Sequence, residues 1–252
     1  MGMKKHLLSL LFMVLAASAS AQVGEHRNDL AVGGNAGYIL SNVSFVPSVP
    51  QGLHGGITGG FSVRYTCEKY FKSICALYAE VNYAKIGWKE EILDIEDKPV
   101  VNPLTKLEEQ FKNTITYIQI PLMAHLGWGR ERSGFQFFVN IGPQFGVYLN
   151  ESITANYDVL RPNMADRVSP VVAQDTMKVE NKFDYGIAGG IGLEFSHRKL
   201  GHFLLEGRYY FGLGNMYGDS KRDYFARSNY GNIVIKLSYL FDIIRTKNDK
   251  IK

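Results

Sequence analysis

Apolar and polar residues alternate along much of the chain with a period of two positions. Between Phe183 and Phe195 the odd-numbered residues are mostly bulky and apolar, whereas the even-numbered residues are small or charged. Because successive side chains on a β-strand point to opposite faces, this alternation predicts strands with one apolar face and one small or polar face. No amphipathic helical pattern of comparable length competes with it.

About eight segments carry this pattern, and turn residues separate them. They are Leu30–Leu40, Gly56–Thr66, Cys75–Trp88, Tyr117–Leu126, Phe135–Tyr148, Phe183–Phe195, Leu205–Leu213 and Asn232–Phe241. The connections between them alternate strictly between long and short, the longest covering residues 89–112 and 150–182. A membrane barrel has long loops on one side and short turns on the other, whereas a soluble sandwich has no reason to sort its loops in this way. The fold class predicted is all-β, a single transmembrane up-and-down antiparallel β-barrel.

The surroundings of such a barrel decide which face points outward. Lipid accepts the bulky apolar face, so the small and polar face lines the interior. Buried charges must be paired to be tolerated, which predicts an interior polar network that fills the lumen. Its predicted members are Arg64, Glu80, Asp184, Glu194, Glu206, Arg208 and Lys236. Aromatic residues near strand ends are predicted to form girdles at the membrane interfaces; they are Tyr65, Trp88, Trp128, Tyr148, Tyr209 and Tyr239.

The first residues indicate export. Two lysines precede the apolar run 7–17, and small residues lead to Ala21, so residues 1–21 are predicted to be a cleaved signal peptide and residues 22–252 the barrel domain. Removing a segment with two lysines and no acidic residue lowers the formal net charge from +4 to +2. That balance argues against a nucleic-acid partner. The predicted location is the outer membrane, with its lipid as a partner.

Two further features leave alternatives open. Cys67 and Cys75 are close together in an exported chain, where an oxidising compartment permits a disulfide, but two free thiols are an equal alternative. The second long connection is rich in acidic residues, which a solvated loop explains better than a cation or partner site. These residues are Glu90, Glu91, Asp94, Glu96, Asp97, Glu108 and Glu109.

No motif indicates catalysis. The histidines His54, His125, His197 and His202 do not have the spacing of a nucleophile elbow or of a zinc site. The glycine pairs are not followed by the lysine of a phosphate-binding loop. The sequence therefore predicts a non-enzymatic protein, with no catalytic residue, no cofactor and no metal site.

Two strings resemble a known family. Residues 117–122 (YIQIPL), followed by 126–129 (LGWG), resemble the fourth strand of PorT-like outer-membrane proteins of the Bacteroidota, and 137–146 (FFVNIGPQFG) is similar to their next strand. The resemblance extends over nearly the whole chain, as a signal peptide and one barrel. It implies a non-enzymatic outer-membrane protein, and the family's namesake is an accessory of type IX protein secretion.

These observations lead to two functional hypotheses. In the first, the barrel is an accessory of protein secretion or envelope assembly, and its loops or periplasmic face bind other envelope or secretion-system proteins. In the second, it is a narrow barrel for transport or ligand binding.

Overall fold

The computed structural model describes residues 24–103, 105–218 and 224–246. The predicted signal peptide therefore lies outside the described residues. The described residues contain nine strands and one short 3₁₀ helix. They are β1 (Glu25–Val46), β2 (Gln51–Gly52), β3 (His54–Tyr70), β4 (Ser73–Glu90), β5 (Phe111–Gly129), β6 (Gly134–Ala155), η1 (Ala173–Asp175), β7 (Phe183–His197), β8 (Gly201–Gly212) and β9 (Arg227–Ile244).

The eight long strands close into a ring. Each of them pairs with the next long strand along the chain, every pairing is antiparallel, and β1 pairs with β9 to complete the circle. Strand β2 adds only two residues, which pair with the last two residues of β4. Closure leaves the long strands no unpaired edge. The predicted fold class, an up-and-down antiparallel barrel of about eight strands, is confirmed.

The strands are longer than the predicted segments because they continue past the apolar band of the outer wall. On β4 the outward residues Leu77, Val81 and Tyr83 are exposed, but the next outward residue is Lys85. The outward face of β5 changes in the same way, from Ile118 to threonines and then to Lys112. The wall therefore has an apolar band near its middle and a polar collar above it, on the side of the long loops.

Most inward positions are buried on each long strand. On β8 and β9 the even-numbered residues are buried in an almost unbroken series, while the odd-numbered residues are mostly exposed. The core of the molecule therefore lies inside the ring. No helix among the described residues combines the length and the hydropathy needed to cross a membrane as a helix.

Two of the long connections fold over one end of the ring. The second long loop, residues 91–110, forms two isolated bridges, Leu93 with Pro99 and Val101 with Glu108. The third long loop, residues 156–182, contains η1, and its Val168 amide donates to the Leu93 carbonyl at 3.0 Å. The two loops thus contact each other above the collar.

Candidate functional site

Four charged side chains from three strands meet at the centre of the barrel. Arg208 binds both Glu80, at 2.9 Å, and Glu206, at 2.9 Å. Lys236 forms ion pairs with the same two carboxylates. The four residues occupy inward positions of β4, β8 and β9, and no more than 5% of any of them is exposed. Two cations and two anions balance, so this central cluster carries no net charge.

Neutral side chains complete the hydrogen bonds of the central cluster. The Asn82 amide donates to Glu80 at 2.8 Å, and the Asn140 amide donates to Glu206 at 3.0 Å. Asn35 donates to Asn82 and to Ser62, each at 2.8 Å. A buried polar network of this kind is stable only where its groups find partners, and these amides supply them.

A second group of interior charges lies toward the short turns. Arg64 pairs with Glu194 at 2.5 Å. The His202 ring contacts Glu194 through Nδ1, at 2.7 Å, and Asp242 through Nε2, at 3.1 Å. A cavity of about 30 Å³ adjoins this group, which is space for on the order of one or two water molecules. The structure thus brings six of the seven predicted network residues into two clusters of ion pairs.

The seventh predicted residue, Asp184, lies apart from these clusters. Its carboxylate accepts a hydrogen bond from the Tyr210 hydroxyl at 2.7 Å, nearer the long loops. Sequence reasoning missed His202 and Asp242, which share the second cluster. His202 stands at an even position of β8 with Glu206 and Arg208, so the same alternation contained the signal that it points inward.

A further charged group closes the rim on the side of the short turns. Glu131, between β5 and β6, binds Arg27 at 3.0 Å and Lys69 at 2.5 Å. Partial burial opposes ionisation of Glu131, but the hydrogen bonds from Arg27 and Lys69 outweigh it and hold the pKa of Glu131 below its usual range. This contact ties the turn to β1 and β3.

The two cysteines are free thiols. The sequence left open a disulfide or two free thiols, and the structure has no disulfide between Cys67 and Cys75. Cys75 pairs with Glu68 across the β3–β4 ladder, while Cys67 falls in the register shift between Thr66 and Glu68. A bulge leaves its extra residue without a cross-strand partner, so the two thiols do not stand opposite each other.

Aromatic side chains fill the other end of the interior, beneath the long loops. The Phe45 ring lies 5.4 Å from Trp88 and 4.9 Å from Phe225, and Tyr217 lies 5.7 Å from Phe225, measured between ring centroids. Tyr217 and Phe225 belong to the fourth long connection, so the described residues on either side of 219–223 fold into the mouth. We call this group, with Phe111, the aromatic cap; all its members are buried.

The prediction that Trp88 forms part of an interfacial girdle is wrong. Trp88 is fully buried and continues the inward, even-numbered series of β4. Tyr148 also packs inside, edge to face with Tyr117, at 6.1 Å between centroids. Trp128, Tyr209 and Tyr239 are exposed on the outer wall, as predicted for girdle residues.

Above the aromatic cap lies a cluster of buried acidic groups. Arg167 of the third long loop binds Glu109 at 2.8 Å and lies 3.8 Å from Asp175 of η1. Asp175 also accepts a hydrogen bond from the Tyr157 hydroxyl at 2.8 Å. The carboxyl of Glu90, the last residue of β4, contacts that of Asp175, and both residues are more than 90% buried.

The two carboxyl groups resist ionisation. Burial, followed by repulsion from Asp175, raises the pKa of Glu90 to about 8. Burial also raises the pKa of Asp175, against the opposing effects of Tyr157 and Arg167. Within the described ranges, no group of three or more histidine, cysteine, aspartate or glutamate residues is arranged to hold a metal ion.

Comparisons with known proteins identify the class. The sequence profile described as outer membrane protein beta-barrel domain matches residues 20–218. No curated protein matches the chain.

Among solved structures, OprG of Pseudomonas aeruginosa is 14% identical, with a TM-score of 0.39 over 86% of this chain and 98% of that chain. Ail, the attachment invasion locus protein of Yersinia pestis, is 12% identical, with a TM-score of 0.34 over 86% of this chain and 99% of that chain. The neisserial surface protein NspA is 12% identical, with a TM-score of 0.38 over 84% of this chain and 97% of that chain. The profile match covers most of the chain, which therefore belongs to the outer membrane protein beta-barrel domain family and is a β-barrel protein of the outer membrane.

Proposed function

We propose that this protein is a closed, non-enzymatic barrel that acts through contacts of its extracellular loops or its periplasmic face, as an accessory of protein secretion or envelope assembly. One observation carries the proposal: side chains fill the barrel at three levels. The His202 cluster lies at the periplasmic end, the Glu80 cluster at the centre and the aromatic cap beneath the long loops.

The central cluster argues against a permeation path. A solute passing the level of Glu80 must separate two cations from two carboxylates that are almost completely buried. Removing one partner from a buried ion pair costs about 3–5 kcal/mol, because a bare charge remains in the interior. Such a barrier favours the accessory hypothesis over the alternative of a narrow transport barrel.

The geometry around His202 also favours a non-enzymatic role. Ser196 Oγ lies 2.8 Å from His202 Nδ1 and Asp242 lies 3.1 Å from Nε2, a set of residue types that occurs in hydrolases. However, Ser196 is completely buried, and the adjoining cavity of about 30 Å³ has no room for a substrate. We interpret this arrangement as structural.

The secretion role rests on the resemblance to PorT-like proteins. Both strings that carry it lie on β5 and β6, which are neighbours in the wall and pair along most of their length. They include inward and outward residues alike, so they support membership of this barrel subfamily rather than a particular contact surface. The partner-binding surfaces that remain are the loops and the periplasmic face.

Gentle detergent extraction of the tagged protein, followed by mass spectrometry of the proteins that accompany it, tests this proposal. We expect stoichiometric recovery of envelope or secretion-system proteins, and no conductance when the purified barrel is placed in a planar bilayer. Replacing Ile95 and Leu160, loop side chains that are 89% and 78% exposed, by asparagine should reduce recovery if the loops make the contact. Recovery of the barrel alone, together with steady conductance, would establish the transport alternative.

A further inference from the structure

An apolar groove crosses the outer wall near the short turns. Its volume is about 670 Å³, within the range of roughly 300–1,000 Å³ in which ligand sites fall. Cross-strand register places four aromatic residues in one row around the wall, and the next strand contributes Gly34 to the same row. The aromatic residues are Phe135, Phe195, Phe203 and Tyr239. At Gly34 the wall therefore changes from bulky side chains to bare backbone.

The adjacent row of the groove consists of three leucines, followed by Ala36 on β1. Register places the leucines opposite one another on β7, β8 and β9, and all of them are exposed. They are Leu193, Leu205 and Leu237. A Cβ at Gly34 would meet only the Gly60 carbonyl oxygen, at 3.6 Å, so the space outside Gly34 is open. The groove is therefore apolar, and it opens toward the lipid.

A polar pocket adjoins the groove at its periplasmic end. Its volume is about 340 Å³, and Tyr239 lines both the pocket and the groove. The turn between β7 and β8 and the end of β9 form the pocket, with Lys199, Asp242 and Arg245 as its charged residues. Asp242 accepts a hydrogen bond from Arg245 Nε at 2.6 Å and lies 3.1 Å from the His202 ring. These partners already balance the one carboxylate of the pocket.

Lys199 is the remaining cation of the polar pocket. Its side chain is exposed, and it forms no ion pair with any residue that the structure describes. Arg245 donates to the Arg198 carbonyl at 3.0 Å, which holds the turn that carries Lys199 against the end of β9. Two cations and one carboxylate line the pocket, so it presents positive charge directly beside an apolar groove.

We propose that this part of the wall binds one anionic phospholipid of the periplasmic leaflet, with its headgroup phosphate at Lys199 in the polar pocket and an acyl chain in the apolar groove. A basic side chain at the membrane surface attracts anionic lipids. Tyr239 lies where the two halves meet, and a tyrosine at a membrane interface combines an apolar ring with a polar hydroxyl.

The position of the site favours a lipid over other ligands that combine a negative charge with an apolar chain. The groove belongs to the lipid-facing wall, and the pocket lies at its periplasmic edge, where a bilayer changes from hydrocarbon to headgroups. The site goes beyond the general contact of a barrel with lipid, because it selects the charge of the headgroup. This inference concerns the outer wall and does not depend on the proposed accessory role.

Native mass spectrometry of the detergent-purified protein tests the proposal, because it counts bound lipids. The probes are phosphatidylglycerol, which is anionic, and phosphatidylcholine with the same acyl chains, which has no net charge. We expect one phosphatidylglycerol to bind each barrel with saturation. Phosphatidylcholine should bind about fivefold more weakly or worse, which is the contribution of about one basic side chain at a membrane surface.

Two variants test the two halves of the site separately. Lys199→Gln should weaken phosphatidylglycerol binding by about fivefold and leave phosphatidylcholine binding unchanged. Lys72→Gln is its matched control, because Lys72 is an exposed lysine of a different short turn. Gly34→Leu fills the groove and should weaken the binding of both lipids. Its matched control is Gly189→Leu, because Gly189 also has open space outside it but does not line the groove.

Three outcomes would overturn the proposal. The first is equal affinity for the two lipids. The second is unchanged phosphatidylglycerol binding in Lys199→Gln, which tests the site even if Gly34→Leu does not fold. The third is a dimer of the barrel that Gly34→Leu abolishes, since it would assign the groove to a second copy of the chain. Circular dichroism confirms that each variant retains its strands.

Discussion

The membrane-level part of the barrel interior and the part beneath the extracellular loops are lined by inward positions of the same strands, yet they are filled with opposite chemistry. On β4, Glu80 takes part in the central cluster, whereas Trp88, eight positions later and on the same face, belongs to the aromatic cap. Both side chains are buried almost completely. Burial is therefore common to the two regions, and polarity is what differs.

The difference follows from what surrounds the wall. At the level of Glu80 the outward neighbours are apolar, Leu77 and Val81 among them, and lipid accepts them without a polar surface. Above Lys85 the wall faces water, so the outside is polar and burial of apolar surface must hold the interior together. At membrane level the barrel is therefore apolar outside and polar inside. Above the membrane it is polar outside and apolar inside, like a soluble protein.

One ring of strands therefore encloses two interiors that are stabilised in different ways. The ionic interior holds its parts by paired charges, which tolerate the loss of a partner poorly. The aromatic interior holds its parts by packing, which tolerates conservative changes better. Four predictions, from the largest expected effect to the smallest, test that division.

The largest effect is expected in the ionic interior. Lys236→Met leaves Glu80 and Glu206 with Arg208 as their only cation, and should lower the free energy of unfolding by about 4 kcal/mol, the range found when one partner of a buried pair is removed. Denaturant titration of the barrel in lipid vesicles measures it. The double variant Lys236→Met with Glu206→Gln restores neutrality and should cost less than the single variant. Equal stability of Lys236→Met and the unaltered chain would refute the ionic interpretation.

A smaller effect is expected in the interior beneath the loops. Ile86 is completely buried between the aromatic cap and the membrane level, and Ile86→Ala should cost about 3 kcal/mol through lost burial and a residual cavity. Ile57, which is 57% exposed on the outer wall, is the control, and Ile57→Ala should cost much less. The same denaturant titration compares them. If the two variants were equally stable, the upper interior would not be held by packing.

The change in stability of the third long loop per pH unit is expected to be smaller still. Burial, and then Asp175, raise the pKa of Glu90 from 4.5 to about 8, so the closed loop binds more protons than the open loop between these values. Closure of the loop should therefore weaken as pH rises from about 4.5 to 8, by at most about 1.4 kcal/mol per pH unit. Hydrogen exchange at the Asp175 and Thr176 amides, corrected for its intrinsic pH dependence, reports the opening. Glu90→Gln should abolish the dependence, and an unchanged slope would assign it to another group.

The smallest effect is expected on the lipid-facing wall. Phe61 is 77% exposed, and Phe61→Leu should change the free energy of unfolding by no more than about 0.5 kcal/mol in vesicles, because lipid contacts either side chain. The matching change in the aromatic cap, Phe45→Leu, should cost more, since Phe45 contacts Trp88 and Phe225. A large loss for Phe61→Leu would indicate that this part of the wall contacts protein instead of lipid.

The sequence by itself determined the ring of strands and the direction of most side chains. Strand alternation has a period of two, and each segment carries it locally, so inward placement of Glu80, Arg208 and Lys236 follows without knowledge of their neighbours. The same alternation also predicts that Trp88 points inward. It was assigned to the girdle instead because it is an aromatic residue near a strand end. The order of long and short connections identified the barrel because it records which side of a membrane each turn occupies.

Only the tertiary structure decided which inward residues meet. Glu80 and Arg208 are 128 positions apart, and their contact depends on ring closure and strand stagger, which alternation within one strand does not encode. The same holds for Asp184, placed beside Tyr210 instead of in an ion pair, and for Cys67, which a bulge leaves out of register with Cys75. The Glu90–Asp175 contact is the least predictable from the sequence. It joins a strand end to a long loop, and the path of that loop is set by packing against the rest of the molecule.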